Sequence, residues 1–147
     1  MFFLFFSCKK IIVCYYALAM ITQIHLFDKI SNQTIYKGVA CLNDLKNDGY
    51  QLQFNTDEHQ FTWNIYDGGI LICSQSEILV KLPLRPERRT KGHIETEFGI
   101  IDIECETKSF KIQSDCVEIE YTLLQGNEKQ QFHFIMMINK EGTYAIH

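Results

Sequence analysis

From Met20 onward apolar and polar residues alternate with a period of two, and clusters of glycine, asparagine and aspartate interrupt the alternation. That is the pattern of half-buried strands joined by turns, and helical periodicity is scarce. The alternation predicts strands over 21–28, 33–40, 50–55, 60–66, 69–74, 77–82, 92–99, 100–106, 109–113, 116–124 and 129–138. Tyr50, Leu52 and Phe54 share one face against Gln51, Gln53 and Asn55, and Phe61, Trp63 and Ile65 repeat the arrangement against Thr62 and Asn64. Val117, Ile119, Tyr121 and Leu123 oppose Glu118, Glu120 and Thr122, while Phe132, Phe134, Met136 and Ile138 oppose Gln131 and His133. Asn47-Asp48-Gly49, Asp67-Gly68-Gly69, Gln125-Gly126-Asn127 and Lys140-Glu141-Gly142 supply turns from residues that tolerate positive φ. Gly99, after Phe98, is expected at a strand bend where a side chain would clash.

About ten strands, each with one apolar face and no helix to cover it, must close on themselves or fold into two layers. The expected fold is therefore all-β, a single antiparallel meander barrel of about eight to ten strands over residues 20–147. One segment lacks alternation: in "PLRPERRTK", Pro83 and Pro86 each remove a backbone donor, which predicts an exposed loop or ragged edge between two halves of the barrel. Residues 82–92 are the candidate edge for pairing with a second copy, leaving monomer and homodimer both open.

Residues 1–19, "MFFLFFSCKKIIVCYYALA", differ in kind: two apolar runs split by Lys9 and Lys10. They form a detachable leader, read in three ways: a segment ahead of a true start at Met20, a signal with Ala17-Leu18-Ala19 as its cleavage site, or an anchor. The lysines fall mid-way through a stretch that would need about 20 apolar residues to cross a bilayer. Without a functional leader the expected compartment is the cytoplasm, with no membrane partner and with Cys41, Cys73, Cys105 and Cys116 as reduced thiols.

Composition adds a constraint on partners. The chain is 46% hydrophobic and 22% charged, with 14 basic against 18 acidic residues and a net charge of −4. That field repels polyanions, so nucleic-acid binding would need a local basic patch. Every arginine lies in one such patch, at 85, 88 and 89.

The stretch from Met20 to Ile138 resembles the YwiB-like family, small bacterial proteins of unknown function. The residues that carry the resemblance are "GYQLQF", "ILVKL" before the basic loop, "ETEFGIIDIECETKSFKI" with Thr96, Phe98, Gly99 and Thr107 at the family's positions, and the closing "VEIEYTLL" and "FHFIMMIN". The resemblance implies a calycin-type, lipocalin-like barrel and carries over no catalytic residue.

Two constellations could bind something. In the loop, Arg85, Arg88, Arg89, Lys91 and His93 could cradle an anion or track a nucleic-acid backbone; the alternative is a solvated turn whose arginines pair with Glu77, Glu87, Glu95 or Glu97. In the barrel, Tyr50, Phe54, Phe61, Trp63, Phe110, Tyr121, Phe132 and Phe134 could grip an apolar or planar ligand, or simply fill the interior. His25, His59, His93, His133 and His147 form no metal-ligating pattern, and no phosphate loop or nucleophile elbow occurs. The pairs Glu104/Glu106 and Glu118/Glu120 belong to the wet outer face. The expectation is thus a non-enzymatic barrel without metal or cofactor that binds a small apolar or anionic ligand. The alternative is an interaction module docking an acidic protein or RNA through the arginine loop.

Overall fold

The computed structural model describes residues 20–145, with side chains through Asn139; the leader expectation lies outside them. Ten strands follow one another: β1 (Met20–Asp28), β2 (Gln33–Asp44), β3 (Tyr50–Asn55), β4 (Gln60–Tyr66), β5 (Gly69–Gln75), β6 (Leu79–Leu84), β7 (Arg89–Thr96), β8 (Gly99–Ile112), β9 (Cys116–Gln125) and β10 (Glu128–Ala145). Each pairs antiparallel with the next, and β1 pairs with β10, so the meander closes into a barrel. Closure removes the flat sheet's uncovered face and most of its edges.

The alternation becomes inside and outside as expected. Leu52, Phe54, Trp63, Ile65, Ile72, Val117, Ile119 and Met136 are buried in one core, and Tyr36, Tyr50, Phe61, Phe110, Phe132 and Phe134 pack against it. Full burial of such a side chain is worth about 1.5–3 kcal/mol relative to exposure. Outside, an amide ladder runs across three strands: Asn43 Nδ2 donates to Gln51 and Gln53, and Gln51 Nε2 donates to Asn64 Oδ1 at 2.9 Å.

Turn chemistry matches the sequence at three of four sites. Asn47 and Asp48 both have φ of 62°, Gly126 has φ of 60°, and Asp67-Gly68 forms the two-residue β4–β5 turn. Lys140-Glu141-Gly142 instead lies within β10, where the register with β1 jumps from Gln23↔Asn139 to Ile21↔Tyr144. The glycine signal there marks a bulge rather than a chain reversal. Gly99 also acts differently from expectation: a Cβ there would meet nothing within 4 Å, and its φ of +131° is what excludes other residues.

The predicted strands at 100–106 and 109–113 are one long strand, β8, with a register irregularity between Thr107 and Ser109. The proline segment is shorter than a loop over 83–91 would be, because β6 runs through Pro83 to Leu84 and β7 begins at Arg89. Pro83 is tolerated because only Leu79–Lys81 of β6 pair with β7, so the ladder has ended before the missing donor is needed. The Thr90 hydroxyl donates to the Pro83 carbonyl and bridges the gap. β2 and β3 likewise share only the short ladder from Cys41↔Gln53 to Asp44↔Tyr50. These two short ladders flank β3–β6 and divide the barrel into a four-strand and a six-strand part, with the proline segment at one of the two boundaries.

Candidate functional site

The basic loop is a tight turn. Arg88 N donates to Arg85 O at 3.3 Å, and Glu87 takes φ of 57°. Arg85 and Arg88 are exposed, and among the described residues neither makes an ion pair. Arg89, Lys91 and His93 leave the turn and become the outer face of β7, where the register sets them opposite Glu106, Glu104 and Asp102 of β8. Arg89 Nε lies 3.1 Å from Glu106 and its Nη1 3.5 Å from Glu104, while Lys91 reaches Asp102 at 3.9 Å. His93 Nε2 is 3.2 Å from Glu95, which also meets Lys81 at 3.8 Å.

The five predicted anion-binding residues therefore separate. Arg89 and Lys91 belong to a cross-strand charge ladder, each such pair worth a few tenths to about 1 kcal/mol. His93 meets Glu95 on its own strand, and Arg85 and Arg88 remain as a cationic tip without ion pairs among the described residues. Replacing Arg85 and Arg88 by alanine should leave unfolding stability within about 0.5 kcal/mol of wild type. Arg89→Ala should cost up to about 1 kcal/mol, and that loss should vanish in high salt; urea titrations at two ionic strengths check both.

All eight predicted interior residues do face inward. Six of them lie in two runs of neighbouring rings: Phe54 and Phe61 with Tyr36, successive centroids of Tyr36, Phe54 and Phe61 being 5.0 and 5.1 Å apart, and Phe132, Tyr121, Phe134 and Trp63, with centroids 5.1, 6.3 and 6.5 Å apart and the last pair edge-on. Trp63 is 2% exposed, yet its indole Nε1 has no hydrogen-bond partner. The Thr107 hydroxyl, across the ladder from Tyr121, is 3% exposed and also unpartnered. A buried polar group left unpaired costs about 1–3 kcal/mol, so two in one aromatic lumen need a reason. Burial pushes the Tyr121 hydroxyl well above its ordinary range and Tyr50 up to about 12, so both rings stay neutral.

Above this lumen, at the β2–β3 end, lies a cavity of about 410 Å³ lined by Leu42, Asp44, Leu45, Asp48, Gly49 and Tyr50. Tyr50 links it to the interior, because Tyr50 faces Ile65 and the next inward pair is Leu52 with Trp63. Of this site the sequence revealed Tyr50 and Trp63 but not the carboxylates of Asp44, at the end of β2, and Asp48, in a turn that carried only a conformational signal.

Cys73, Cys105 and Cys116 are free, and burial raises all three thiols, so none is an activated thiolate. Cys41, completely buried, is disulfide-bonded, which corrects the expectation of four reduced thiols at that position. On the outer face of β9, Glu118 accepts from His133 Nε2 at 2.6 Å and lies 4.0 Å from Lys29. Its pKa is lowered, first by the His133 hydrogen bond, then by the charges of His133, Lys29 and Lys111, against a desolvation that raises it. The folded carboxyl thus titrates below the unfolded one, so its stabilisation is full above the ordinary carboxylate range and fades as pH falls through the depressed value. Glu118→Gln should flatten the acid limb of a stability-versus-pH curve and leave the neutral region less stable.

Among the described residues no helix is long and apolar enough to cross a membrane. Residues 46–137 match the family model described as a domain of unknown function (DUF1934). The crystal structure of ywiB protein from Bacillus subtilis matches with a TM-score of 0.54 at 9% identity, over 88% of this chain and 93% of that one, a likeness of fold alone. No curated protein matches. The family match spans more than half of the chain, and with the shared barrel it places this protein in the family of the domain of unknown function DUF1934, the YwiB-like proteins.

Proposed function

We propose that the barrel is a non-enzymatic binding protein that takes a small molecule at its mouth, with part of the ligand reaching toward Trp63. The observation that carries this reading is the unpartnered Trp63 N–H in an otherwise apolar, aromatic enclosure. A ligand acceptor at that point would recover the cost of the buried donor. Leu42, Leu45 and the Tyr50 ring offer apolar walls, while Asp44 and Asp48 favour a neutral or cationic head over the anionic one expected from sequence. Native mass spectrometry of gently purified protein, with analysis of what denaturation releases, tests the reading. A stoichiometric small molecule, lost in Trp63→Phe with the fold retained, supports it; a clean protein whose single tryptophan emission is unmoved by cell-extract metabolites overturns it.

A second reading is favoured by Arg85 and Arg88, whose guanidiniums are exposed and without an acidic partner among the described residues. They suit docking of an acidic protein or RNA, and salt-sensitive capture lost in the Arg85→Ala/Arg88→Ala double variant would support it. A cytoplasmic location accords with the three free thiols but not with the disulfide at Cys41. Acid-quenched thiol trapping from cells decides: reduced Cys41 keeps the cytoplasmic reading, and oxidised Cys41 removes it.

A further inference from the structure

Among the described residues closure of the barrel leaves several stretches of strand edge unpaired, and the one on β8 carries consecutive exposed apolar residues. β8 pairs with β7 from Gly99 onward, but its ladder with β9 begins only at Glu104↔Leu124. Residues 99–103 therefore have a strand on one side only among the described residues, and their outward backbone groups form an open template for another strand. The tip before this edge is held by Thr96, whose hydroxyl accepts from Phe98 N at 3.1 Å and donates to Gly99 O at 3.0 Å. That turn drives Phe98 into solvent, 92% exposed, next to Ile100 at 68% and Ile101 at 43%.

A second open edge shows that this is not a general property of the barrel. β10 meets β1 only from Phe134 onward, so residues 128–132 also lack a neighbour on that side. There the exposed side chains are Glu128, Lys129, Gln130 and Gln131, the polar and charged guard that discourages edge pairing. The β8 edge carries isoleucines instead, and its carboxylates have cationic partners within the same copy, Asp102 with Lys91 and Glu104 with Arg89, as does Glu95 of the neighbouring β7 with Lys81. Beside the proposed stretch only the exposed Glu97 of the turn lacks an ion pair among the described residues, so two such edges can approach with little like-charge repulsion.

We propose that residues 98–102 form the two-fold contact of a homodimer, pairing antiparallel with the same stretch of a second copy. Centred on Ile100, this register sets the two Ile100 side chains opposite each other. It places each Ile101 over the other copy's Gly99, which has no side chain, and each Phe98 beside the other's Asp102. The two barrels then share one continuous antiparallel strand pair. The contact lies on the β8 edge and not at residues 82–92, where the Thr90 hydroxyl closes the gap to Pro83.

Sedimentation of the full chain across a wide concentration range tests this, together with Ile100→Lys and Met137→Lys. Met137 is a control because it is 48% exposed but lies on a stretch paired to both β1 and β9. Within one copy the new lysine at 100 would face Glu95, so the fold should persist, as Trp63 emission would report; between copies, two ammoniums would oppose at the centre. The expected result is a concentration-dependent dimer, lost in Ile100→Lys and retained in Met137→Lys. A covalent dimer from Ile100→Cys under mild oxidant, absent for Met137→Cys, would confirm the register. A wild-type protein monomeric at every concentration with no Ile100→Cys crosslink, or a dimer indifferent to Ile100→Lys, overturns the proposal.

Discussion

Trp63→Ala should be the most damaging single substitution in the barrel, costing about 3–5 kcal/mol of unfolding free energy. The ring sits between Leu52 of β3 and Ile72 of β5 in the ladder and meets Phe134 of β10 edge-on from across the interior. It therefore ties together strands from both parts of the barrel, and no single neighbour can move to fill the space it leaves. Against a total stability of about 5–15 kcal/mol, such a loss unfolds a substantial fraction of the molecules. Trp63→Phe should cost markedly less than volume alone implies, because it removes the unpartnered N–H along with the lost carbons. Urea denaturation of both variants, followed by far-ultraviolet circular dichroism since the only tryptophan is altered, gives the comparison. Equal losses for alanine and phenylalanine would mean that the indole N–H is satisfied in solution.

Gly92→Val is the second large effect, at about 3 kcal/mol or more, with Gly92→Ala at about 1–3 kcal/mol. A Cβ at this position would lie 2.6 Å from the Lys81 carbonyl oxygen, 3.1 Å from Leu82 Cδ2 and 3.4 Å from Cys105 Sγ. The closest atom is backbone in the paired strand β6, so relief requires prising β6 from β7 where their ladder is already short. Gly49 has a nearer contact, 2.4 Å from the Tyr66 ring, but that side chain can swing. Gly68→Ala, where nothing lies within 4 Å, is the control and should be mild. Thermal unfolding of the three variants ranks them, and a Gly92→Ala variant as stable as Gly68→Ala would show that the strands separate freely there.

The barrel itself was legible because its strands are half-buried and write a period of two into the sequence; Tyr50-Leu52-Phe54 and Phe61-Trp63-Ile65 already specify which side faces in. The partners across ladders were less legible. The expected strands 92–99 and 100–106 abut at Gly99 and leave no turn between them, whereas the chain turns at Glu97-Phe98. That two-residue loop fixes every pairing on β7 and β8, including the carboxylates opposite Arg89, Lys91 and His93. Without it the arginines could only be matched to nearby glutamates, and of those expected only Glu95 proved a partner in this cluster, to His93 and Lys81 rather than to an arginine. The unpartnered donors of Trp63 and Thr107 leave no trace in sequence, because a buried N–H or hydroxyl looks the same with or without a partner.

The two short ladders have a mechanical meaning. Strands β3–β6 form an uninterrupted four-strand meander whose backbone ladders to the rest are the short one from Cys41↔Gln53 to Asp44↔Tyr50 and that of Leu79–Lys81 with β7. Each tie is the ladder of a hairpin closed by a short turn, at 45–49 and at 85–88, so few backbone hydrogen bonds hold the two parts along these seams, and the Trp63–Phe134 ring contact spans them from within. The first of these seams runs beside the cavity lined by Leu42, Asp44 and Tyr50, so the wall nearest that cavity is also one of the least tightly laced stretches of the barrel.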